Sequence, residues 1–255
     1  GAGDVNNDGF GDIIIGAPLE GVPFPPPIAE NQGSGNGGAA LIFLGSASGI
    51  TGSGFDDADR IIFSYPPGQP VASGDQVGAD IAAAGDVNND LYDDVLVGAG
   101  GYIMVFHGSA TGIAGTDPSN ADTKITSSAT ISVGALVASA GDVNDDGFDD
   151  IMASDTGYPT GITSGGHGAF MVFHGSASGV TATGPAAADT FIEGDLPIVV
   201  LGPTQFLGWR FSGAGDVDGD GIADVIVGGL DYAGGLDNEG IAYVFRGSAT
   251  GLVGT

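Results

Sequence analysis

Four nine-residue segments of the chain place oxygen-bearing side chains at alternate positions. Each has Asp or Asn at its first, third, fifth and ninth position, and the four segments are Asp4–Asp12, Asp86–Asp94, Asp142–Asp150 and Asp216–Asp224. Ca²⁺ in proteins takes about six to eight oxygen ligands, and a glycine inside the loop permits the sharp turn that gathers them. The pattern therefore predicts up to four calcium sites.

In each acidic loop we expect four side-chain ligands and one backbone carbonyl from the seventh residue. The predicted ligands are Asp4, Asn6, Asp8, Phe10 and Asp12; Asp86, Asn88, Asp90, Tyr92 and Asp94; Asp142, Asn144, Asp146, Phe148 and Asp150; and Asp216, Asp218, Asp220, Ile222 and Asp224. The sixth position is Gly in three loops and Leu91 in the second. A left-handed backbone costs a non-glycine residue about 1–2 kcal/mol, so the second site is predicted to be the weakest.

Composition narrows the classes of partner. The chain has 32 acidic and 4 basic residues, a formal net charge of −28, and no cysteine. Phosphate backbones and anionic lipid would be repelled, so we expect no nucleic acid partner and no direct insertion into a membrane. Because modest calcium sites fill at extracellular rather than cytosolic concentrations, an extracellular or cell-surface (secreted) protein is expected.

The acidic loops belong to a larger repeated unit. Each loop is followed by two apolar runs and then by a Gly-Ser-Ala-Ser/Thr-Gly turn. After the first three turns come an Ala-Asp pair, a third apolar run, and a fourth apolar run that leads into the next acidic loop. Short runs rich in Val, Ile and Phe between Gly, Ser and Asp are typical of β-strands. The predicted fold is all-β: one domain over residues 1–255 built from four-stranded antiparallel blades of a β-propeller, because radial stacking buries both faces of such sheets. Approximate units are 1–76, 77–132, 133–206 and 207–255.

The unit resembles the FG-GAP repeat of integrin α-subunit propellers and their bacterial relatives. The FG positions correspond to Val77-Gly78, Val133-Gly134 and Leu207-Gly208, and an intact GAP stands at Gly16-Ala17-Pro18. The resemblance implies a propeller that usually closes with seven blades, so four units predict a segment of a larger propeller. The alternative is a small propeller closed by these four units.

Antiparallel alternation predicts where a partner binds. The acidic loops and the Gly-Ser-Ala turns fall on one face, and the irregular insertions fall on the opposite face, where recognition groups on a rigid scaffold usually lie. The hypothesised contact residues are Phe24, Pro25, Pro26, Pro27, Tyr65, Tyr158 and Trp209.

With no activated nucleophile beside the loops, the favoured function is a non-catalytic module for adhesion or for recognition of protein or glycan. Two alternatives remain open: a scaffold or catalytic domain of a polysaccharide-acting hydrolase or lyase, and a self-assembling surface filament subunit.

Overall fold

The computed structural model describes residues 1–18, 37–52, 54–64, 75–158, 168–194, 206–230 and 240–253. These residues form fourteen β-strands and two single-turn 3₁₀ helices, Phe55–Asp57 and Pro185–Ala187. Within the same residues, no helix is long and apolar enough to cross a membrane.

The strands form four antiparallel sheets in chain order. Each sheet is a meander, in which strands that follow one another along the chain are hydrogen-bonded neighbours. The first sheet contains β1 (Ile13–Ala17), β2 (Ala39–Phe43) and β3 (Arg60–Phe63); the second contains β4 (Ile81–Gly85), β5 (Asp94–Ala99), β6 (Tyr102–Phe106) and β7 (Thr123–Thr126); the third contains β8 (Val137–Gly141), β9 (Asp150–Asp155), β10 (Ala169–Phe173) and β11 (Thr190–Glu193); and the fourth contains β12 (Phe206–Gly215), β13 (Asp224–Leu230) and β14 (Ile241–Phe245).

The middle strands of the first three sheets are buried on both faces, which explains why their sequences are apolar without alternation. In β5, Val95 and Val97 pack in a core shared with Ile14 of the first sheet. Leu96, which points to the other face, packs in a core shared with Ile151 of the third sheet. A third core joins the third and fourth sheets. The sheets are therefore stacked face to face, each against the next, as blades of a β-propeller.

The four sheets do not close into a ring. The fourth apolar cluster, which includes Leu41 and Phe43, lies within the first sheet, and no cluster of the described residues joins the first sheet to the fourth. The alternative of a small closed propeller is therefore wrong, and the fold is an open segment. Among the described residues the first and fourth sheets have three strands each, and the second and third have four.

Gly16 and Gly78, two glycines of the FG-GAP motif, are required because the backbones of neighbouring sheets approach each other closely. Gly78 has a positive φ of 82°, and a Cβ added to Gly16 would collide with the carbonyl oxygen of Gly78 in the next sheet. The third sheet has Ser154 at the position of Gly16, and its hydroxyl donates to the carbonyl of Gly208 at 2.8 Å. These contacts fix how far each sheet stands from the next.

Candidate calcium centres

The carboxylate of the first loop residue organises each acidic loop. In the first loop, Asp4 Oδ1 accepts the N–H of Asp8 at 3.0 Å and Asp4 Oδ2 accepts the N–H of Gly9 at 2.9 Å. Asp8 Oδ1 in turn accepts the N–H of Phe10 at 3.0 Å. The same bonds recur in the other loops, where the first carboxylates are those of Asp86, Asp142 and Asp216. The side chains predicted to ligate are thus ordered by the loop's own backbone.

The ninth residue is buried and joins the loop to the neighbouring turn. Asp150 Oδ2 accepts the N–H of Val143 at 3.0 Å, and its Oδ1 accepts the N–H of Gly175, the first residue of the Gly-Ser-Ala turn, at 2.8 Å. Asp12, Asp94 and Asp224 make the equivalent pair of bonds. An ionised carboxylate offers about four acceptor positions, so each of these residues retains two for a cation.

Burial makes the charge of these carboxylates costly. It raises the pKa of Asp94 and of Asp150 to about 7 from the ordinary 3.8, against the lowering effect of their backbone hydrogen bonds. Nearby loop carboxylates raise both values further, and burial also raises the pKa of Asp12. A divalent cation among these oxygens would supply the missing positive charge and favour the ionised form.

The loop backbone is left-handed at two positions. Leu91 has φ 78°, as its glycine counterparts Gly9, Gly147 and Gly221 do with φ 88°, 87° and 95°. This confirms that the sixth position requires a left-handed residue in every loop. The fourth position is also left-handed, at Asn7, Asn89, Asp145 and Gly219. Sequence reasoning missed that position, although Asn, Asp and Gly are the residues that tolerate this conformation.

The fourth loop brings three carboxylates together. Oxygens of Asp216, Asp218 and Asp224 all lie within 4.8 Å of one another, the distance range of ligands around one ion. Arg246 Nη1 also donates to Asp218 Oδ2 at 3.0 Å. The other three loops have Asn at the third position, where the amide donates to the fifth carboxylate, as Asn6 Nδ2 does to Asp8 Oδ2 at 3.0 Å.

Neighbouring loops are hydrogen-bonded to each other across the sheets. Asp93 Oδ2 accepts the N–H of Asp4 at 2.6 Å, and Asp149 Oδ2 accepts the N–H of Asp86 at 2.9 Å. Both carboxylates stand at the eighth loop position, which is Gly11 in the first loop and Ala223 in the fourth. Sequence reasoning missed this role; the paired Asp-Asp that ends the second and third loops was the available signal.

Of the hypothesised partner residues, the structure describes Tyr158 and Trp209. Phe24, Pro25, Pro26, Pro27 and Tyr65 fall outside the described residues. Tyr158 packs against β11 of the third sheet: its hydroxyl donates to Glu193 Oε1 at 3.0 Å, and its ring packs edge-on against Phe191.

Trp209 is exposed and lines a shallow pocket of ≈ 410 Å³ with Arg210 and Ile241. Ile241 pairs with Gly229 at the end of the fourth sheet away from the acidic loop, whereas Phe245 pairs with Val225 beside that loop. The pocket therefore lies toward the face opposite the acidic loops.

Comparison with known proteins identifies the repeat. The FG-GAP repeat family model matches residues 1–43. Integrin alpha-3 of Cricetulus griseus is 32% identical over 174 residues, which is 63% of this chain and 15% of that protein. Integrin alpha-7 of Homo sapiens is 31% identical over 186 residues, which is 69% of this chain and 14% of that protein. The chain thus spans only about one seventh of these relatives. Together with the stacked sheets and the repeated acidic loops, these matches show that the chain belongs to an FG-GAP, integrin-like repeat family.

Proposed function

We propose that the chain is a calcium-stabilised, non-catalytic β-propeller module that recognises a protein or glycan outside the cell. The observation that carries the proposal is the fourfold recurrence of one loop geometry, with a buried ninth carboxylate and a first carboxylate held by two backbone N–H groups. We further propose that the chain forms one FG-GAP region with four units, near residues 1–76, 77–132, 133–206 and 207–255.

The donor set fits Ca²⁺. All proposed side-chain ligands are carboxylate or amide oxygens, as a hard cation prefers. The buried carboxyls of Asp94 and Asp150 have pKa values of about 7. A cation that replaces the proton of such a carboxyl would stabilise its ionised form. When bound, the ion would supply positive charge and cross-links between oxygens of one loop. The role of the protein residues is to hold that loop against the Gly-Ser-Ala turn.

Melting in calcium and in a chelator tests this part of the proposal. Binding to the folded state alone stabilises it by RT ln(1 + [L]/Kd), about 2.7 kcal/mol per site at a hundredfold excess over Kd. Four sites predict a large fall in melting temperature when EGTA replaces Ca²⁺. The second site, with Leu91 at its left-handed position, is proposed to be the weakest. An identical melt in both buffers would remove the calcium proposal.

The integrin α relatives support an extracellular or cell-surface setting and a recognition role. The net charge of −28 supports a partner other than nucleic acid or anionic lipid, and no direct membrane insertion. We place the contact surface on the face opposite the acidic loops, where Phe24, Pro25–Pro27 and Tyr65 remain candidates on the insertions. Among the described candidates Trp209 is favoured, because it is exposed beside a pocket that also contains Arg210.

Arrays of extracellular-matrix proteins and of glycans, probed in Ca²⁺, test the recognition proposal. A specific ligand is expected for the wild type, with binding weakened at least tenfold by Trp209→Ala and largely retained by Trp209→Phe. Tyr158→Phe is a matched control, since it removes only the hydroxyl that bonds Glu193. Full binding by Trp209→Ala would exclude Trp209 from the contact surface, and turnover of any array polysaccharide would contradict a non-catalytic role.

A further inference from the structure

The eighth residue of the second and third acidic loops makes two hydrogen bonds to the loop that precedes it along the chain. The N–H of Asp4 donates to Asp93 Oδ2 at 2.6 Å, and the N–H of Asp93 donates back to the carbonyl of Asp4 at 3.2 Å. Asp86 and Asp149 make the same reciprocal pair, at 2.9 Å and 3.1 Å. Asp4 and Asp86 are first residues of their loops, so the contact holds the residue whose carboxylate organises the whole loop.

The junction between the third and fourth loops lacks this carboxylate and provides an internal comparison. Its eighth residue is Ala223, whose N–H donates to the carbonyl of Asp142 at 3.0 Å. The backbone half of the contact is therefore kept, while Ala223 has no side-chain acceptor for the other half. At this contact the three junctions differ in one feature, which is the carboxylate at the eighth position.

The bridging carboxylate stands beside proposed ligands of both loops. Asp93 lies between Tyr92, which is proposed to ligate through its carbonyl, and Asp94, which is proposed to ligate through its side chain. Its other contact is the main chain of Asp4, the first proposed ligand of the preceding loop. Order in Tyr92 and Asp94 therefore also orders the acceptor that holds Asp4.

We propose that Asp93 and Asp149 are positioning residues that couple calcium binding in the first three loops, an inference that rests on the proposed calcium function. Binding that orders one loop lowers the ordering cost in the next, which is positive cooperativity without a large structural change. The coupling is reciprocal, because linkage requires each site to change the affinity of the other by the same factor. The fourth loop, with Ala223 in place of the carboxylate, binds nearly independently.

The second loop is coupled on both sides. Asp93 joins it to the first loop, and Asp149 joins its first residue, Asp86, to the third loop. It is also the loop with Leu91 at the left-handed position, where calcium binding is proposed to be weakest. Coupling therefore compensates where the single loop is poorest, and filling of the second loop depends on its two neighbours.

A calcium titration followed by amide NMR measures each loop separately. The amide of the sixth residue reports on its own loop, because the N–H of this residue donates to the first carboxylate there; these residues are Gly9, Leu91, Gly147 and Gly221. Emptying the second loop with Asp90→Ala should raise the calcium midpoints at Gly9 and Gly147 by at least about fivefold, the lower end of common coupling between sites. The midpoint at Gly221 should stay at its wild-type value.

Asp220→Ala is the matched control for the loss of a ligand. Asp220 and Asp90 occupy the same loop position, and each accepts the N–H of the seventh residue through its Oδ1. Asp220→Ala empties the fourth loop, and the midpoint at Gly147 should stay nearly unchanged because no carboxylate bridges this junction. A general loss of stability would instead raise the midpoints at all remaining loops in both variants.

Asp149→Ala tests the route of the coupling. In this background, Asp90→Ala should still shift the midpoint at Gly9 but should no longer shift that at Gly147. Ala223→Asp is the reciprocal test, because the new carboxylate is placed to accept the N–H of Asp142. In that background, emptying the fourth loop should begin to shift Gly147.

The outcomes separate this inference from the proposed function. Equal midpoints at Gly9 and Gly147 in the wild type and in Asp90→Ala would overturn the coupling while leaving calcium binding in place. A shift at Gly147 that persists in Asp149→Ala would overturn the role of Asp149. Sixth-residue amides that do not respond to Ca²⁺ at all would contradict the calcium function itself.

Discussion

Replacing Asp150 by Asn removes one charge at the centre of the third acidic loop. The carboxylate is fully buried and accepts two backbone N–H groups, from Val143 at 3.0 Å and Gly175 at 2.8 Å. An amide has a single oxygen, so one of these charge-assisted bonds is lost, at about 1.5–3 kcal/mol, and an unsatisfied N–H remains, at about 1–3 kcal/mol. Together these predict a loss of about 2.5–6 kcal/mol in Ca²⁺.

The same substitution should cost less without metal. Near pH 8 the metal-free protein holds Asp150 ionised above its pKa of about 7, and the neutral amide relieves that buried charge. Relief of the charge offsets part of the lost hydrogen bonding. The difference between wild type and variant is therefore expected to be larger in Ca²⁺ than in EGTA.

The assay is thermal unfolding in both buffers at about pH 8, above the pKa of the buried carboxyl. For a domain of this size, 1 kcal/mol shifts the melting temperature by about 2–4 °C, so Asp150→Asn should melt about 5–24 °C lower in Ca²⁺. Asp145→Asn is the matched control, because it makes the same charge change in the same loop at a position where the first two loops have Asn7 and Asn89.

Equal melting of the Asp150 variant and the control would refute the structural role of the ninth carboxylate. A large loss of the same size in both buffers would keep that role but refute calcium binding at the third loop.

Three further predictions concern single features of the loops. In EGTA, the unfolding free energy should be lower at about pH 7.5 than at about pH 5.5. The cause is that folded Asp94 and Asp150 have pKa values raised from 3.8 to about 7 and therefore bind more protons than the unfolded chain in this window. Excess Ca²⁺ should reverse this pH dependence in denaturant titrations, and an unfolding free energy that does not change with pH in EGTA would contradict the prediction. Asp149→Ala should lower stability by about 1–3 kcal/mol by removing the acceptor of the Asp86 N–H, and a denaturation midpoint equal to that of Asp145→Asn would exclude this link between loops. Leu91→Gly should remove the strain of a left-handed non-glycine residue, raise stability by up to about 1 kcal/mol and tighten calcium binding at the second loop. Gly147→Ala should weaken calcium binding at the third loop for the opposite reason. Calorimetric titrations of Leu91→Gly that match those of the wild type would show that the backbone conformation does not limit affinity.

The strands could be predicted because each is specified locally. The apolar run directly after the first acidic loop forms β1, Ile13–Ala17. The second apolar runs of the second and third units, just before the Gly-Ser-Ala turns, form β6 and β10. Apolar β-branched and aromatic residues between Gly, Ser and Asp carry enough information to place such short strands.

Contacts between elements distant in sequence could not be predicted. The Asp of each Ala-Asp pair caps the preceding strand: Asp122 Oδ2 accepts the N–H of His107, and Asp189 Oδ2 accepts that of His174, both at 2.8 Å. Asp93 and Asp149 likewise bond to a loop of the preceding sheet. The partner of such a carboxylate depends on how the sheets pack, which the local pattern does not specify. The prediction of a propeller segment is confirmed, and the alternative of a closed four-unit propeller is wrong, because no core of the described residues joins the first sheet to the fourth.

Equilibrium dialysis against Ca²⁺ with metal analysis tests calcium binding by the acidic loops most directly. The number of ions retained per chain is the quantity to measure. Four loops with matching hydrogen bonds predict four ions, or three where the Leu91 loop is too weak to fill. Retention of one ion or none would contradict the account.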